Sequence, residues 1–451
     1  MFDREIIGDL KMWAQKEERK PLILRGARQV GKTTVVDMFA KQFDQYLYLN
    51  LDIKEDRELF EKDYAIDELI PALFFLKSKE RKAGRTLIFI DEIQSSLQAV
   101  AMLRYFYESA KDFWVIAAGS LLEPLIDQHV SFPVGRVEYL YMKPLTFNEY
   151  LRAIGETSSI EILTQVPCPP FAHKKLLKLF YQYTLIGGMP EVVQTYVQTQ
   201  DVYKLKSIYE SLLRSYLDDV EKYRRSKSLA PVIHHAMQSS FYAAGNRIRF
   251  EGFGQSRYKS REMGEALKTL ERAMLIYLMY PTIGVAVPAE PDYKKSPRLH
   301  LLDTGLVNYF VGLQKEIFGT QNLNAVYEGK IAEHIVGQEL LAEDSMLNNK
   351  VQFWVRDKKQ SQAEIDYVIG FDNYLIPIEV KAGSTGRLRS LHAFIDRAPH
   401  PYAVRIYSGE LSVDKVKTIK GKDFFLLNLP FYLTGKVRIY LRWIIEECGI
   451  V

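Results

Sequence analysis

Two groups of residues in this chain have the types and spacing to do chemistry. Near the start, Gly26-Ala27-Arg28-Gln29-Val30-Gly31-Lys32-Thr33 places two glycines, a lysine and a hydroxyl in one short loop, followed by Thr34. Glycines let the backbone curl so that successive N–H groups point at phosphate oxygens. Lys32 then reaches the β and γ phosphates, and the Thr33 hydroxyl ligates Mg²⁺. Far downstream, Glu364-Ile365-Asp366 and Glu379-Val380-Lys381 flank a short turn and supply carboxylates and an amine.

The loop needs a strand before it and a helix after it to mean anything. Pro21-Leu22-Ile23-Leu24 is an apolar run ending beside Gly26, and Val35, Val36, Met38 and Phe39 give the following segment a helical apolar face. Thr86-Leu87-Ile88-Phe89-Ile90-Asp91-Glu92 reads as a strand buried on both faces, ending in paired carboxylates. Its carboxyl end is where an open α/β sheet presents ligands. Asp91 is expected in the Mg²⁺ shell and Glu92 as the general base for water. Tyr46–Leu51 and Phe113–Ala118 read as further strands. Ser120, after the second, is either a γ-phosphate sensor or a turn serine.

At 451 residues, with 47% hydrophobic residues, the chain predicts a globular protein of two or three domains. A net charge of +4 does not by itself imply nucleic acid. Two cysteines, Cys168 and Cys448, fit a reducing cytosol rather than a disulfide scaffold. Met1-Phe2-Asp3-Arg4-Glu5 has no apolar signal core, and no apolar run is long enough for a bilayer. The expectation is a cytoplasmic protein with no membrane partner.

The ordered set Arg25 to Thr34, Phe89-Ile90-Asp91-Glu92-Ile93-Gln94, Ala118-Gly119-Ser120, Gly135-Arg136 and Pro144-Leu145-Thr146-Phe147-Asn148-Glu149-Tyr150 resembles a large family. These are the prokaryotic AAA-type ATPases that carry a C-terminal domain of unknown function. The resemblance covers essentially the whole chain. It implies a P-loop AAA-type parallel sheet over 1–150, a helical and winged-helix connector over 151–310, and a nuclease-like α/β domain over 311–451. It implies ATP rather than GTP, with Mg²⁺, and a homo-oligomer. It makes Arg136 the candidate finger reaching a neighbouring subunit's γ-phosphate, against the reading of a solvated surface arginine.

In the middle region, Leu185-Ile186-Gly187-Gly188-Met189-Pro190-Glu191 is a sharp break with a proline fit to open a helix. It is similar to the family's Gly-Gly-x-Pro turn, and a structural role is expected. Met263, Ala266, Leu267, Leu270, Ala273 and Met274 recur at helical spacing, and Ile276–Tyr280 follows as a strand. Lys259, Arg261, Lys268 and Arg272 give that helix a basic side fit for a DNA groove. Glu262, Glu265 and Glu271 interrupt it, which favours simple packing. Lys222, Arg224, Arg225 and Lys227 form a denser basic cluster, read as a solvated loop, and His300 is read as a core or edge residue.

Glu364–Ile369 and Tyr374–Lys381 alternate as strands. With Asp372-Asn373 as the loop, Phe371 pairs with Tyr374, which sets Asp366 opposite Glu379 and Glu364 opposite Lys381. Opposed Cβ atoms lie roughly 4.5–5.5 Å apart, close enough to share a divalent ion. Pro377 suggests an edge strand or a bulge. The set resembles the PD-(D/E)xK nuclease superfamily, which implies a restriction-endonuclease-like fold, Asp366 and Glu379 as metal ligands, Lys381 as the catalytic lysine, and Glu333, in a helical run opening at Glu328, as the extra helix acid. DNA is the implied partner. Against this stands a plain ion-pair reading, such as Glu364 with Lys381. Two functions are open: an ATPase coupled to DNA processing, or a nucleotide-switched binding protein with an inactive nuclease-like domain.

Overall fold

The computed structural model describes residues 2–62, 64–120, 133, 135–222, 229–313, 329–343, 345, 351–357, 363–383 and 388–447. Val134, Arg224, Arg225, Lys227, Glu328 and Cys448 lie outside them. The chain divides into two compact units. The first comprises Met1–Lys143, Arg272–Met274 and Asp344–Asn348. The second comprises Pro144–Glu271, Leu275–Glu343 and Asn349–Val451.

The first unit runs α1 (Ile6–Ala14), β1 (Leu22–Arg25), α2 (Lys32–Ala40), β2 (Gln45–Asn50), α3 (Lys54–Glu61), α4 (Ile66–Leu76), β3 (Thr86–Asp91), α5 (Leu97–Ser109), β4 (Phe113–Gly119) and β5 (Glu138–Tyr141). Its strands form one parallel sheet in the order β2-β3-β4-β1-β5. β4 therefore stands between the strand that ends at the P-loop and the strand that ends at Asp91. β3 is buried along its whole length, as a strand covered on both faces should be. Leu47, Leu49, Ile88, Ile90 and Val115 form one core with Leu59, Leu69, Leu73, Leu103 and Phe106 from α3, α4 and α5. Parallel pairing sets the strand ends level: Arg25 lies beside Gly119, and Asn50 beside Asp91.

The second unit opens with helices: α6 (Phe147–Ala153), α7 (Thr157–Leu163), α8 (His173–Ile186), α9 (Pro190–Thr199), α10 (Leu205–Lys222), α11 (Ala230–Tyr242) and α12 (Ser260–Arg272). Then come β6 (Ile276–Met279), β7 (Pro281–Thr282), β8 (Arg298–Leu301), α13 (Thr304–Phe310) and α14 (Lys330–Ala342). Met263, Ala266, Leu267 and Leu270 of α12 are buried, and Lys259, Arg261 and Lys268 face solvent. β6 and β8 pair antiparallel. β9 (Gln352–Val355), β10 (Glu364–Phe371), β11 (Tyr374–Lys381), α15 (Arg389–Ile395), β12 (Tyr402–Tyr407), β13 (Ser412–Lys417), β14 (Asp423–Pro430) and α16 (Val437–Glu447) complete it. The larger sheet has the order β13-β14-β12-β11-β10-β9-β7. α15 covers one face through Leu391, Phe394 and Ile395 on Trp354, Ile365 and Leu375.

Pro377 lies in neither an edge strand nor a bulge. β11 is the middle strand of the larger sheet, and its parallel ladder to β12 begins at Ile378, so Pro377 sits just outside that ladder. The irregularity falls instead on β10 where it faces β9, between Ile365 and Val368. His300 is buried, stacked on His334 at 3.9 Å. Among the described residues, no helix is long and apolar enough to cross a membrane.

The Gly187-Gly188 break is a structural joint. Pro190 opens α9, and Gly187 has φ +80°, a backbone state that suits glycine. A side chain on Gly188 would collide with the Leu145 backbone, whose N–H donates to Gly188 O at 2.7 Å. Asp303, fully buried, accepts from Gly188 N at 2.6 Å and caps α13 through Leu306 N at 3.0 Å. Burial pushes its carboxyl up to about 6, against the pull of those N–H donors. Because the folded value exceeds the unfolded one, the Asp303 contribution is fully present below about pH 4 and is lost as pH rises through about 6. Asp303→Asn is therefore expected to flatten the fall in melting temperature between pH 4 and 7 relative to the parent chain. Parallel slopes in a thermal-melt series would show that Asp303 has no part in that fall.

Candidate functional site

β1 delivers the chain into the glycine loop, and the loop is shaped by two left-handed residues, Gln29 (φ 61°) and Gly31 (φ 94°). Gly31 caps α2, so Lys32 and Thr33 occupy its first turn, where free N–H groups and the positive end of the helix favour an anion. Gly26 has no room for a side chain: a Cβ there would lie 2.6 Å from Met142 O on the neighbouring chain segment. Lys32 is buried, and its Nζ donates to Gly26 O and Ala27 O at 3.0 Å each, folded back across the loop.

Asp91 and Thr33 meet. The Thr33 hydroxyl donates to Asp91 Oδ2 at 2.7 Å, and Asp91 is 4% exposed. A hydroxyl and a carboxylate oxygen at hydrogen-bond distance at the loop's mouth form a donor set fit for a hard cation beside phosphates. Glu92, next in the chain, has left-handed backbone (φ 51°), and its N–H donates to Asp91 Oδ1 at 3.0 Å. Ser120 follows the end of β4 and is buried. Arg136 Nε pairs with Glu108 Oε1 at 2.6 Å. The described residues thus bring together Gly26, Lys32, Thr33 and Asp91, while the Arg136 side chain is engaged by α5.

Three residues at this site have no role assigned from the motifs. Gln94 Nε2 donates to the Glu92 carboxylate, and its Oε1 faces Gly119 so closely that a side chain there would require Gln94 to shift. Tyr48 lies 3.4 Å from Asp91 Oδ2, and burial with the nearby Asp91 and Asp37 charges raises its hydroxyl to about 12, so it stays a donor. Arg4, buried in the first helix's approach, donates to Val30 O at 3.0 Å and Lys143 O at 2.6 Å. It ties the P-loop to the segment after β5. The alternation of Tyr46, Tyr48 and Asn50 on one strand face is a usable pointer to Tyr48. Nothing local marks Arg4.

The second unit carries the other group. β10 and β11 pair in the register expected from the Asp372-Asn373 loop, from Phe371 with Tyr374 to Tyr367 with Ile378. Asp372 takes the left-handed conformation that a tight turn requires (φ 49°). Val380 N donates to Asp366 Oδ2 at 2.8 Å, and Lys381 Nζ lies 2.7 Å from Glu379 Oε1. The expected partner of Lys381, Glu364, instead turns to Arg298 Nη2 and to Arg247, 3.5 Å away. The reason is Arg298, which no motif announced. It enters from β8, 6% exposed, with Nη1 3.0 Å from Asp366 O and 3.7 Å from Glu333 Oε2, and Nη2 3.8 Å from Asp366 Oδ1. Burial opposes its charge, but Asp366, Glu333 and Glu364 outweigh it. Burial, with Asp366 next, pushes Glu379 and Glu333 up to about 7. Burial lowers Lys381, and Glu379 more than restores it. Among the described residues, no group of three or more His, Cys, Asp or Glu side chains is arranged to hold a metal ion.

Residues 18–151 match the family model of an AAA domain. The N-terminal unit has the fold of an AAA-type P-loop ATPase. Residues 177–317 and 328–430 match two domains of unknown function, DUF8612 and DUF4143. Similar solved structures include the Walker-type ATPase PABY2304 of Pyrococcus abyssi, at 14% identity over 69% of this chain and 96% of that one, with TM-score 0.45. The Aeropyrum pernix ORC1 protein, solved in complex with DNA, is 12% identical over 68% of this chain and 90% of that one, with TM-score 0.26. The Thermotoga maritima RuvB Holliday junction branch migration motor is 15% identical over 62% and 90%, with TM-score 0.27. A search of curated proteins returns no match.

The Arg4 bridge yields a measurable consequence. Arg4→Met leaves two carbonyls without their charged donor, which costs about 2–4 kcal/mol in denaturant unfolding. It also loosens the loop, so a fluorescent ATP analogue should bind several-fold more weakly. Unchanged values in both measurements would show that the bridge is incidental.

Proposed function

We propose that this chain binds and hydrolyses ATP with Mg²⁺. The observation that carries the reading is the 2.7 Å contact of Thr33 with Asp91 at the mouth of a loop whose lysine is buried and turned inward. Thr33 and Asp91 would hold Mg²⁺, which supplies charge neutralisation across the β and γ phosphates. The backbone N–H groups of Gly26, Ala27, Arg28, Gln29, Val30, Gly31, Lys32, Thr33 and Thr34 form the cradle around the phosphates. Lys32 exchanges its two carbonyl partners for phosphate oxygens. Glu92 takes the proton of the attacking water. Ser120, at the end of the strand between the two motifs, reports on the γ-phosphate. Arg136, released from Glu108, completes the site of a second copy.

Lys32→Ala should lose both nucleotide binding and hydrolysis. Glu92→Gln should keep binding while turnover falls by about 10²–10³-fold. Hydrolysis in Lys32→Ala equal to the parent would sink the proposal. Arg136→Ala should hydrolyse poorly alone and regain activity when mixed with Lys32→Ala chains, because each supplies what the other lacks.

For the C-terminal group, we propose a nuclease-like site in which Asp366 and Glu379 are the metal ligands and Lys381 the lysine beside them. ATP turnover in the same chain would then serve DNA binding or processing. The β10–β11 register supports this reading. A second reading, a nucleotide-switched binding protein with an inactive site, is favoured by the ion pairs that Arg298 and Lys381 make within the cluster. Incubating supercoiled DNA with Mg²⁺ or Mn²⁺ separates them. Cleavage lost in Lys381→Ala assigns the chemistry to this site, and intact DNA beside normal ATP turnover selects the switch.

A further inference from the structure

Four carboxylates, Glu333, Glu364, Asp366 and Glu379, converge from α14, β10 and β11, and among the described residues one of their oxygens is both buried and without a donor. Glu379 Oε2 is buried, on a side chain 7% exposed, and has no hydrogen-bond partner. Its neighbouring charges are Asp366, Lys381 and Glu333. A buried carboxylate oxygen without a donor is costly, so it asks for a cation or a proton.

Asp366 is differently placed. Its Oδ2 accepts from Val380 N, which leaves Oδ1, and Oδ1 faces the Arg298 guanidinium at 3.8 Å. An ion shared by Asp366 and Glu379 would find Oδ1 the oxygen free of a backbone donor, and there it meets a positive guanidinium. Like charges at such separation in a buried site repel strongly.

Arg298 is also fixed where it stands. β8 and α14 are joined by His334, which accepts from Leu301 N at 3.1 Å, and by His300 Nε2 at 2.8 Å from His334 O. The guanidinium lies 4.9 Å from the ring centre of Phe353 and 6.0 Å from that of Tyr367. These contacts hold a charged fork in one position, with its entropy already spent in folding.

We infer that Arg298 serves Glu333, Glu364 and Asp366 as a built-in cation, and that a divalent cation binds between Asp366 and Glu379 only in competition with it. The inference rests on reading Asp366 and Glu379 as cation ligands. It does not depend on DNA cleavage or ATP turnover. Arg298 is thus the residue that sets how tightly this site takes a divalent ion.

The test is a Mn²⁺ titration followed by electron paramagnetic resonance, on full-length chains that all carry Asp91→Asn to silence the P-loop carboxylate. The parent should show no Asp366-dependent binding tighter than roughly millimolar. Arg298→Met should bind Mn²⁺ at least roughly tenfold more tightly, and adding Asp366→Asn should abolish the gain. Because removing a buried charge partner can unfold the chain, Glu364→Gln is the second variant. It loosens the grip on Arg298 while removing negative charge, so tighter Mn²⁺ binding there has no simple electrostatic alternative. Micromolar, Asp366-dependent binding in the parent would overturn the role of Arg298 and leave the cation site standing. The inference also falls if neither variant gains affinity. Absence of Asp366-dependent binding in every chain removes the cation-site reading as well.

Discussion

Parallel strand pairing is the constraint on which the nucleotide site depends. Residues paired in register across β1, β4 and β3 end at the same edge, so the loops leaving these strands emerge side by side. The loop after Arg25, the carboxylate at Asp91 and the serine after Gly119 come from stretches far apart in the chain, yet they share one rim because their strands run the same way. An antiparallel sheet of the same strand order would send the serine after β4 to the end opposite the loop and the carboxylate. The apolar cores on both faces keep that register: a one-residue slip in β3 would turn every side chain to the other layer.

Charge organises the second unit in another way. Asp303, Glu339, Arg298 and Glu379 are all buried, and three of them are satisfied by partners on other elements. Asp303 ties the Gly187-Gly188 joint to α13. Glu339 of α14 accepts from Phe147 N at 3.0 Å and from the Tyr183 hydroxyl at 2.8 Å. α14 therefore carries Glu339 toward the helical layer and Glu333 toward the carboxylate cluster. Breaking any one of these contacts leaves a buried polar or charged group without its partner in a low-dielectric interior, which is costly.

Short motifs were legible because their chemistry is local. The glycine loop, the Asp91-Glu92 pair and the β10–β11 hairpin each need only a few consecutive residues, and turn chemistry with side-chain alternation sets their geometry. Arg298 was invisible for the opposite reason. It sits 66 residues before Glu364, in a basic stretch that reads as an ordinary approach to a strand. The expected Glu364–Lys381 pair failed at the same point: cross-strand opposition describes two strands, and a guanidinium arriving from a third element draws Glu364 away. Pro377 misled because a proline signals an edge only when both neighbouring ladders extend over it.

The sequence by itself determined the P-loop, the order of strands and helices around it, the hairpin register and the residues with the right chemistry at each place. Those come from backbone preferences and periodicity within a few residues. Tertiary structure alone decided which charges meet. It brought Arg4 to the P-loop, Asp303 to the glycine joint and Arg298 to the carboxylates. The physical reason is that a buried charge takes its partner from whatever element packs against it, and packing is a property of the whole fold.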